Sequence, residues 1–199
     1  MKRHSVTQDS SFSEFGMGMA LPAKFLKHDE DEIKKCFGLV RNQILCGMGG
    51  LECFFNNMEK DSINKCLIRR DKSNLTLLHT AVDVGNNRAV EQLLNLGADV
   101  NSVGFLKKKP LHFAGHPDIA KLLIDNGANI DDKDELGDTV LCLAYLDDNL
   151  ALAKFLLQNK ADLSYVKKHH NLNPNCSEKQ FLNILFGLED SSDDDYLIT

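Results

Sequence analysis

The chain lacks several features that would assign it to a common functional class. No stretch of its 199 residues approaches the roughly 18 apolar residues that a membrane-spanning helix needs, so we expect no membrane association. The net charge is −6, which argues against general binding of nucleic acid, because such binding calls for clustered lysine and arginine.

The cysteines also lack the spacing of a disulfide framework or a zinc site. They are scattered along the chain and include no C-x-x-C pair, at Cys36, Cys46, Cys53, Cys66, Cys142 and Cys176. We therefore expect reduced, mostly buried thiols and a location in the cytoplasm, with the nucleus as the alternative.

Motifs of catalysis and of cofactor binding are missing as well. The glycine-rich segment 47–50 has no Gly-Lys-Ser/Thr ending, so it is better interpreted as a hinge or turn than as a phosphate-binding loop. His169, His170 and Cys176 are three potential zinc ligands in a polar segment, one short of a tetrahedral set. We predict no enzyme activity, no metal and no cofactor.

What the chain does contain is a pattern that recurs three times. The first marker reads T-x-L-H-x-A at 76–81, P-L-H-x-A at 110–114 and T-x-L-x-x-A at 139–144. The second marker is Gly-Ala-Asp or a variant of it, at 97–99, 127–129 and 160–162. Two markers in the same order predict a repeat architecture.

The spacing of the markers shows that one copy is short. Leu111 follows Leu78 by 33 positions and Leu141 follows Leu111 by 30, whereas the second marker is spaced by 30 and then by 33. The missing residues therefore lie in the second copy, between Ala114 and Ile119. Since three residues are about one helical turn, the first helix of this copy should be shortened and leave a notch or a tighter turn.

Each copy has the pattern of two helices. Thr76 and Thr139 can cap the first helices, and Pro110 suits a first helical position because its missing N–H would have had no partner there. Apolar residues recur at helical spacing in the second helices, at Ala89, Val90, Leu93, Leu94 and Leu96 and at Ile119, Ala120, Leu122, Leu123 and Ile124. One such pair is too thin to bury its apolar face, so neighbouring pairs should stack.

The period near 33, with T-P-L-H-x-A followed by L-L-x-x-G-A-D, resembles the ankyrin repeat family. The resemblance implies an all-α solenoid of stacked helix-turn-helix units with β-turn fingers, with repeats at 71–101, 102–130 and 131–163. It also implies that His79 and His112 bond neighbouring backbone. Asn74 and Lys160 stand where the family has glycine, and we expect both to adopt the left-handed conformation.

The flanking segments depart from the repeat pattern. Residues 1–20 are predicted to be a disordered tail rather than a secretory signal, because Asp9 and Glu14 lie in the region that a signal would keep basic. Residues 21–70 have helical rhythm without the repeat letters and are interpreted as degenerate N-terminal repeats that form a cap.

At the other end, residues 164–188 are predicted to cap the stack. We expect a polar connector over 164–175 and then an amphipathic helix from Ser177, which either covers the open end of the core or docks a partner. The acidic tail 189–199 is either a solvated end or a regulatory segment phosphorylated at Ser191 and Ser192.

The resemblance also implies a protein-binding surface made of finger tips and first helices. Carried over by position, its residues are Arg70, Lys72, Thr80, Asp83, Val103, Phe105, Lys107, Lys108, Phe113, Lys133, Glu135 and Leu143. In the second finger, Lys107 and Lys109 replace the family's Gly and Thr, so its tip is poorly specified by turn chemistry. This departure reflects either drift in a tolerant loop or a loop shaped by a partner, and Phe105 either faces solvent or folds back over the notch.

The function expected from the resemblance is that of a monomeric adaptor or inhibitor that binds another protein. The alternative is a regulatory or targeting subunit of an enzyme, including a factor that a parasite or virus places in a host cell. The partner is not identifiable from sequence, because the binding surface is the part of this family that varies.

Overall fold

The computed structural model describes residues 30–47, 50–56 and 58–169, without the side chains of residues 53 and 167–169. The predicted tails at 1–20 and 189–199, the helix predicted from Ser177, and the histidine and cysteine set at 169, 170 and 176 lie outside the described residues or side chains.

The described residues form helices and turns and contain no strand, which confirms the predicted all-α solenoid. The α-helices are α1 (Glu30–Leu45), α2 (Glu52–Phe55), α3 (Lys60–Ile68), α4 (Leu77–Asp83), α5 (Asn87–Asn95), α6 (Pro117–Asp125), α7 (Val140–Leu146), α8 (Leu150–Gln158) and α9 (Ser164–His169). Two short 3₁₀ turns lie at Phe105–Lys107 and Pro110–Phe113. None of these helices has the length and apolarity to cross a membrane.

The helices stack in two rows that share one core. In the first row, α1 packs on α4, α4 on the turn Pro110–Phe113, that turn on α7, and α7 on α9. In the second row, α5 packs on α6 and α6 on α8. The residues buried between the rows include Leu77, Leu78, Leu93, Ile119, Leu123, Leu141 and Leu156.

The threonine caps are present as predicted. The hydroxyl of Thr76 accepts the N–H of His79 at 3.5 Å, and that of Thr139 accepts the N–H of Cys142 at 3.4 Å. Each therefore satisfies one backbone donor that the first turn of a helix leaves without an intrahelical partner.

The second repeat is shortened where the marker spacing placed the deletion. Its first helix is only the 3₁₀ turn Pro110–Phe113, whereas α4 and α7 have seven residues each. Ala114 is already extended, with φ −70° and ψ 110°, and α6 begins at Pro117. This unit contributes a narrower first row than its two neighbours.

Helix α1 packs on the first helix of the first repeat. Ile33, Cys36, Phe37 and Val40 are buried along one face of α1, which covers α4. At its two described ends, the glycine-rich segment 47–50 has positive φ values, 68° at Gly47 and 90° at Gly50.

The polar connector expected over 164–175 is wrong in its first part, because residues 164–169 are helical. Val166 is buried and α9 packs on α7, so this helix occupies the place of a first helix in a further unit. The Tyr165 ring lies under the Lys133 ammonium, 4.7 Å from Nζ to the ring centroid. The segment is mostly polar, but Val166 and Tyr165 supply the contacts that pack it against the rest of the fold.

Candidate functional site

Three five-residue fingers project from the starts of the first helices. Each finger is closed by the same hydrogen bond, from the N–H of its first residue to the carbonyl of its fifth. The first finger is residues 71–75, the second 104–108 and the third 134–138, with N···O distances of 2.9, 2.8 and 3.0 Å. One position before the end of each finger, Asn74, Lys107 and Gly137 have positive φ.

Two buried histidines connect the first and second repeats to backbone of the repeat that follows, as the resemblance implied. His79 Nε2 lies 3.2 Å from the carbonyl oxygen of Lys108, and His112 Nε2 lies 3.1 Å from that of Asp132. Nδ1 of His79 accepts the N–H of Thr76, and Nδ1 of His112 accepts that of Lys109. Because Nδ1 accepts a hydrogen bond in each ring, Nε2 carries the proton. It donates to the carbonyl of Lys108 from His79 and to the carbonyl of Asp132 from His112.

Burial keeps both imidazoles neutral. It lowers the pKa of His79 to about 4 and also lowers the pKa of His112, since a charged ring would be separated from water. The hydroxyl beside His79 Nδ1, at 2.8 Å, is that of Thr76, which is buried and caps α4, and the other hydrogen bonds of the two rings are to backbone. These histidines are structural.

Gly104 allows the second finger to approach His79. A Cβ at this position would lie 2.9 Å from His79 Nε2 and 2.9 Å from Leu75 Cδ2, closer than side chains normally approach. Only glycine fits without displacing the histidine. Gly104 stands at the position that Asp71 and Asp134 occupy in the other two fingers, and aligning the three positions identifies the substitution from sequence.

The charges of the second and third fingers are largely directed at each other. Lys108 Nζ lies 3.9 Å from the buried carboxylate of Asp134, and Lys109 pairs with Asp132. The charges of Lys108 and Lys109 are therefore paired with carboxylates of the third repeat. In the second finger, Lys107 is exposed and Lys108 is half-buried.

Exposed apolar side chains gather on the second and third fingers. We call this group the fingertip patch, and its members are Val103, Phe105, Leu106 and Leu136. Phe105 is 58% exposed and Leu136 is 71% exposed, while the N–H of Glu135 donates to the carbonyl of Leu106 at 2.9 Å and ties the two loops together. Leu106 and Leu136 were missed from sequence because nothing marks either of them as exposed.

A second feature lies at the opposite ends of the first helices. The shortened turn Pro110–Phe113 leaves a cleft of about 190 Å³, which we call the notch. It is lined by Asp83, His112, Phe113, Ala114, Gly115, Val140, Leu143, Ala144, Asp147, Asn149 and Leu152. The notch confirms the gap that the deletion predicted, and Phe105 is not among its lining residues.

The predicted binding residues divide between these two places. Val103, Phe105, Lys107 and Glu135 are exposed on the second and third fingers, and Arg70 and Lys72 are exposed at the first. Asp83, Phe113 and Leu143 meet in the notch.

Other predicted residues have structural contacts. Thr80 does not belong to an accessible surface, because it is buried and its hydroxyl donates to the carbonyl of Thr76. Arg70 donates to the carbonyls of Asn74 and Val103, and Lys133 stacks on Tyr165. Arg70, Lys133 and Lys108 therefore hold the fingers in place, whatever else they contact.

Comparison with known proteins agrees with this geometry. A family model of ankyrin repeats in three copies matches residues 78–167. These residues are ankyrin repeats. Ankyrin repeats are modules of protein–protein interaction, which is the coarse function of this part of the chain.

The related sequences are ankyrin repeat proteins of varied size. An ankyrin repeat protein of fowlpox virus is 30% identical over 118 residues, covering 58% of this chain and 28% of the viral protein. Human protein phosphatase 1 regulatory subunit 27 is 42% identical over 69 residues, covering 33% of this chain and 45% of that subunit. Protein fem-1 homolog C of Danio rerio is 45% identical over 69 residues, 33% of this chain and 11% of the relative. The chain thus spans less than half the length of each of these relatives.

Proposed function

We propose that this protein is a non-catalytic adaptor or inhibitor that binds a partner protein through the fingertip patch. The carrying observation is a set of exposed apolar side chains on loops whose backbones are fixed by hydrogen bonds from both neighbours. Exposed apolar groups that lie together, rather than singly, are typical of interaction sites. Because the loops are held in place beforehand, binding costs little ordering entropy.

Phe105 is the anchor of this proposal. Its ring is 58% exposed, and the conformation of the loop that carries it includes two non-glycine residues with positive φ, Leu106 at 53° and Lys107 at 55°. Left-handed conformations of such residues cost free energy that the fold does not recover through the Phe105 side chain. Aromatic residues on rigid supports are frequent binding hot spots.

The charges around the patch favour a partner with an acidic rim. Lys107 is exposed on the second finger and Lys72 on the first, and Glu135 is exposed on the third, whereas Lys108 and Lys109 are already paired with carboxylates. Exposed lysines at the edge of an apolar contact mainly raise the association rate and the specificity. The proposed partner surface is therefore apolar at its centre and acidic at its edge.

Phe105→Ala tests the proposal, with Leu39→Ala as the matched control. Leu39 lies on α1, outside the three fingers, and is also an exposed apolar residue, at 42%. We expect Phe105→Ala to keep the melting temperature of the wild type and to lose proteins that wild type and Leu39→Ala both capture from lysate and that mass spectrometry identifies. A lowered melting temperature with unchanged capture would assign Phe105 to the core instead.

Two relatives suggest a second function. The match to protein phosphatase 1 regulatory subunit 27 suggests a regulatory or targeting subunit of an enzyme, and the viral relative suggests a factor acting on host proteins. Adding the purified chain to the catalytic subunit of protein phosphatase 1 tests the first suggestion. Altered phosphatase activity or a stable complex, if lost with Phe105→Ala, supports the regulatory subunit. If neither is observed, the adaptor remains the proposal.

We also propose a monomer located in the cytoplasm or nucleus. Cys36, Cys66 and Cys142 are buried free thiols, as is usual for proteins of reducing compartments. Native mass spectrometry tests the oligomeric state, and an obligate dimer would contradict it. Localisation is checked by imaging the tagged chain in cells.

A further inference from the structure

The notch has the dimensions of a site for one side chain. Its volume of about 190 Å³ is below the range of roughly 300 to 1,000 Å³ that is typical of pockets for drug-sized ligands. It lies between the end of α4 and α7 because the intervening turn ends at Phe113, and its lining combines residues of α7 with residues of the loops that follow Phe113 and Leu146.

The lining combines an apolar floor with an acidic rim. Phe113, Val140, Leu143 and Leu152 supply the apolar atoms, and the Phe113 ring is oriented by an edge-to-face contact with His79, 5.6 Å between ring centroids. Asp83 and Asp147 are the exposed carboxylates, and neither forms an ion pair with a described residue. The described residues that line the notch include no lysine or arginine.

This combination of surfaces complements a cation carried on an apolar stem. An arginine side chain places its methylene groups against apolar atoms while its planar guanidinium stacks on an aromatic ring and donates to carboxylates. Lysine carries a compact, strongly hydrated charge and lacks the planar fork that can donate to two carboxylates at once. The notch therefore suits arginine better than lysine.

We propose that the notch binds an arginine side chain of the partner protein, with the guanidinium paired to Asp83 and Asp147 and its stem packed on Phe113 and Leu143. This inference deepens the proposed function and rests on it, since it adds a second contact at the far ends of the first helices. The fingertip patch would then bind the apolar and acidic part of the partner, and the notch would bind an arginine beyond it.

The test uses a small probe and does not require the partner. The full chain, labelled with ¹³C at leucine and valine methyls, is titrated with the tripeptide Ac-Gly-Arg-Gly-NH₂. Parallel titrations use two control peptides in which citrulline or lysine replaces the arginine. Citrulline keeps the shape of arginine without the charge. We expect saturable shifts of the Leu143 and Val140 methyl signals with the arginine peptide, and binding at least fivefold weaker with the other two.

Two variants separate the rim from general electrostatic attraction. Asp83→Asn combined with Asp147→Asn should weaken the arginine peptide at least fivefold, and both residues are exposed, so folding should be unaffected. Glu91→Gln is the control, because it removes an exposed carboxylate on α5, outside the notch.

Three outcomes would overturn the proposal: absence of methyl shifts, equal binding of arginine and citrulline, or equal binding of arginine and lysine. A fourth, in which Glu91→Gln weakens the peptide as much as the rim variants, would reduce the effect to net charge and also overturn it. The result is separable from the proposed function, since Phe105 and the fingertip patch take no part in this titration. Loss of capture by Phe105→Ala can hold whether or not the notch binds arginine.

Discussion

The first and third fingers are held by side-chain hydrogen bonds within the loop, whereas the second finger is held by hydrogen bonds from neighbouring residues. In the first, Asp71 Oδ1 accepts the N–H groups of Ser73 and Leu75 at 2.8 and 2.9 Å. In the third, Asp134 Oδ1 accepts the N–H groups of Leu136 and Asp138 at 2.8 and 3.0 Å. A carboxylate that bonds its own loop fixes the turn from within.

Gly104 occupies the same place in the second finger and has no side chain to do this. The loop is held instead by His79 at the carbonyl of Lys108, by Arg70 at that of Val103 and by the N–H of Glu135 at that of Leu106. The comparison teaches that a loop clamped from outside need not meet the usual turn preferences at its tip. Its tip residues are then free to carry Phe105.

The largest expected effect comes from removing the clamp at His79. His79→Ala should lower the free energy of unfolding by about 2 to 4 kcal/mol, because it leaves a cavity and deprives the carbonyl of Lys108 of its donor. Cys142 occupies the equivalent place in the third repeat, where it bonds only Thr139, so Cys142→Ala should cost about 1 kcal/mol. Urea denaturation measures both, and equal losses would show that the finger clamp contributes little.

The same clamp makes stability depend on pH. The unfolded imidazole takes up a proton near pH 6.5, whereas the pKa of folded His79 is about 4. Between these values the unfolded chain binds more protons, so the free energy of unfolding should fall by about 2 to 3 kcal/mol as pH drops from about 6.5 to about 4. Protonation of Nδ1 also removes its acceptor for Thr76 N–H.

His79→Gln isolates this contribution, because glutamine does not titrate. Unfolding of wild type and variant is followed at intervals from pH 7.5 to pH 4, and the variant should lose distinctly less stability. His112 changes in the same direction and remains in both proteins, so it cancels in the difference. Parallel pH profiles would show that the buried charge of His79 is not what destabilises the fold.

Filling the space at Gly104 should have an intermediate effect. Gly104→Ala should cost about 1 to 3 kcal/mol, because the new methyl group overlaps with His79 and Leu75. Gly115→Ala is the control, since a Cβ there would contact nothing within 4 Å. Thermal melts that rank the two variants equally would contradict the close approach of the finger.

The smallest expected effect comes from removing the backbone strain of the positive φ at Lys107, at the tip of the second finger. Lys107→Gly should stabilise by about 0.5 to 1 kcal/mol, since glycine adopts positive φ without a steric penalty. Lys160→Gly, at φ 65° after α8, should stabilise by a similar amount and serves as the reference outside the fingers. If Lys107→Gly stabilises and Lys160→Gly does not, the strain belongs to the second finger alone.

Features set by local chemistry were predictable from the sequence. The threonine caps, the left-handed Asn74 and Lys160, and the shortened unit each follow from a few neighbouring residues or from marker spacing. The backbone bonds of His79 and His112 were expected from the family resemblance and are present.

Features that depend on stacking were not predictable in this way. The pairing of Lys108 with Asp134, the close approach of Gly104 to His79 and the burial of Thr80 join residues of different units or set one face of a short helix against the next. The helical segment at 164–169 was missed because its sequence is polar, and only packing on α7 distinguishes it from a connector. No sequence motif marks the residues that line the notch.

The shortened second unit also determines how the array can come apart. In a linear array each unit is stabilised mainly by its two neighbours, so cooperativity is passed along the chain one interface at a time. The four-residue turn Pro110–Phe113 gives the central unit a shorter first-row element than α4 or α7, each of seven residues. We therefore expect denaturation to divide the molecule near its middle, into a block from α1 to α5 and a block from α7 to α9.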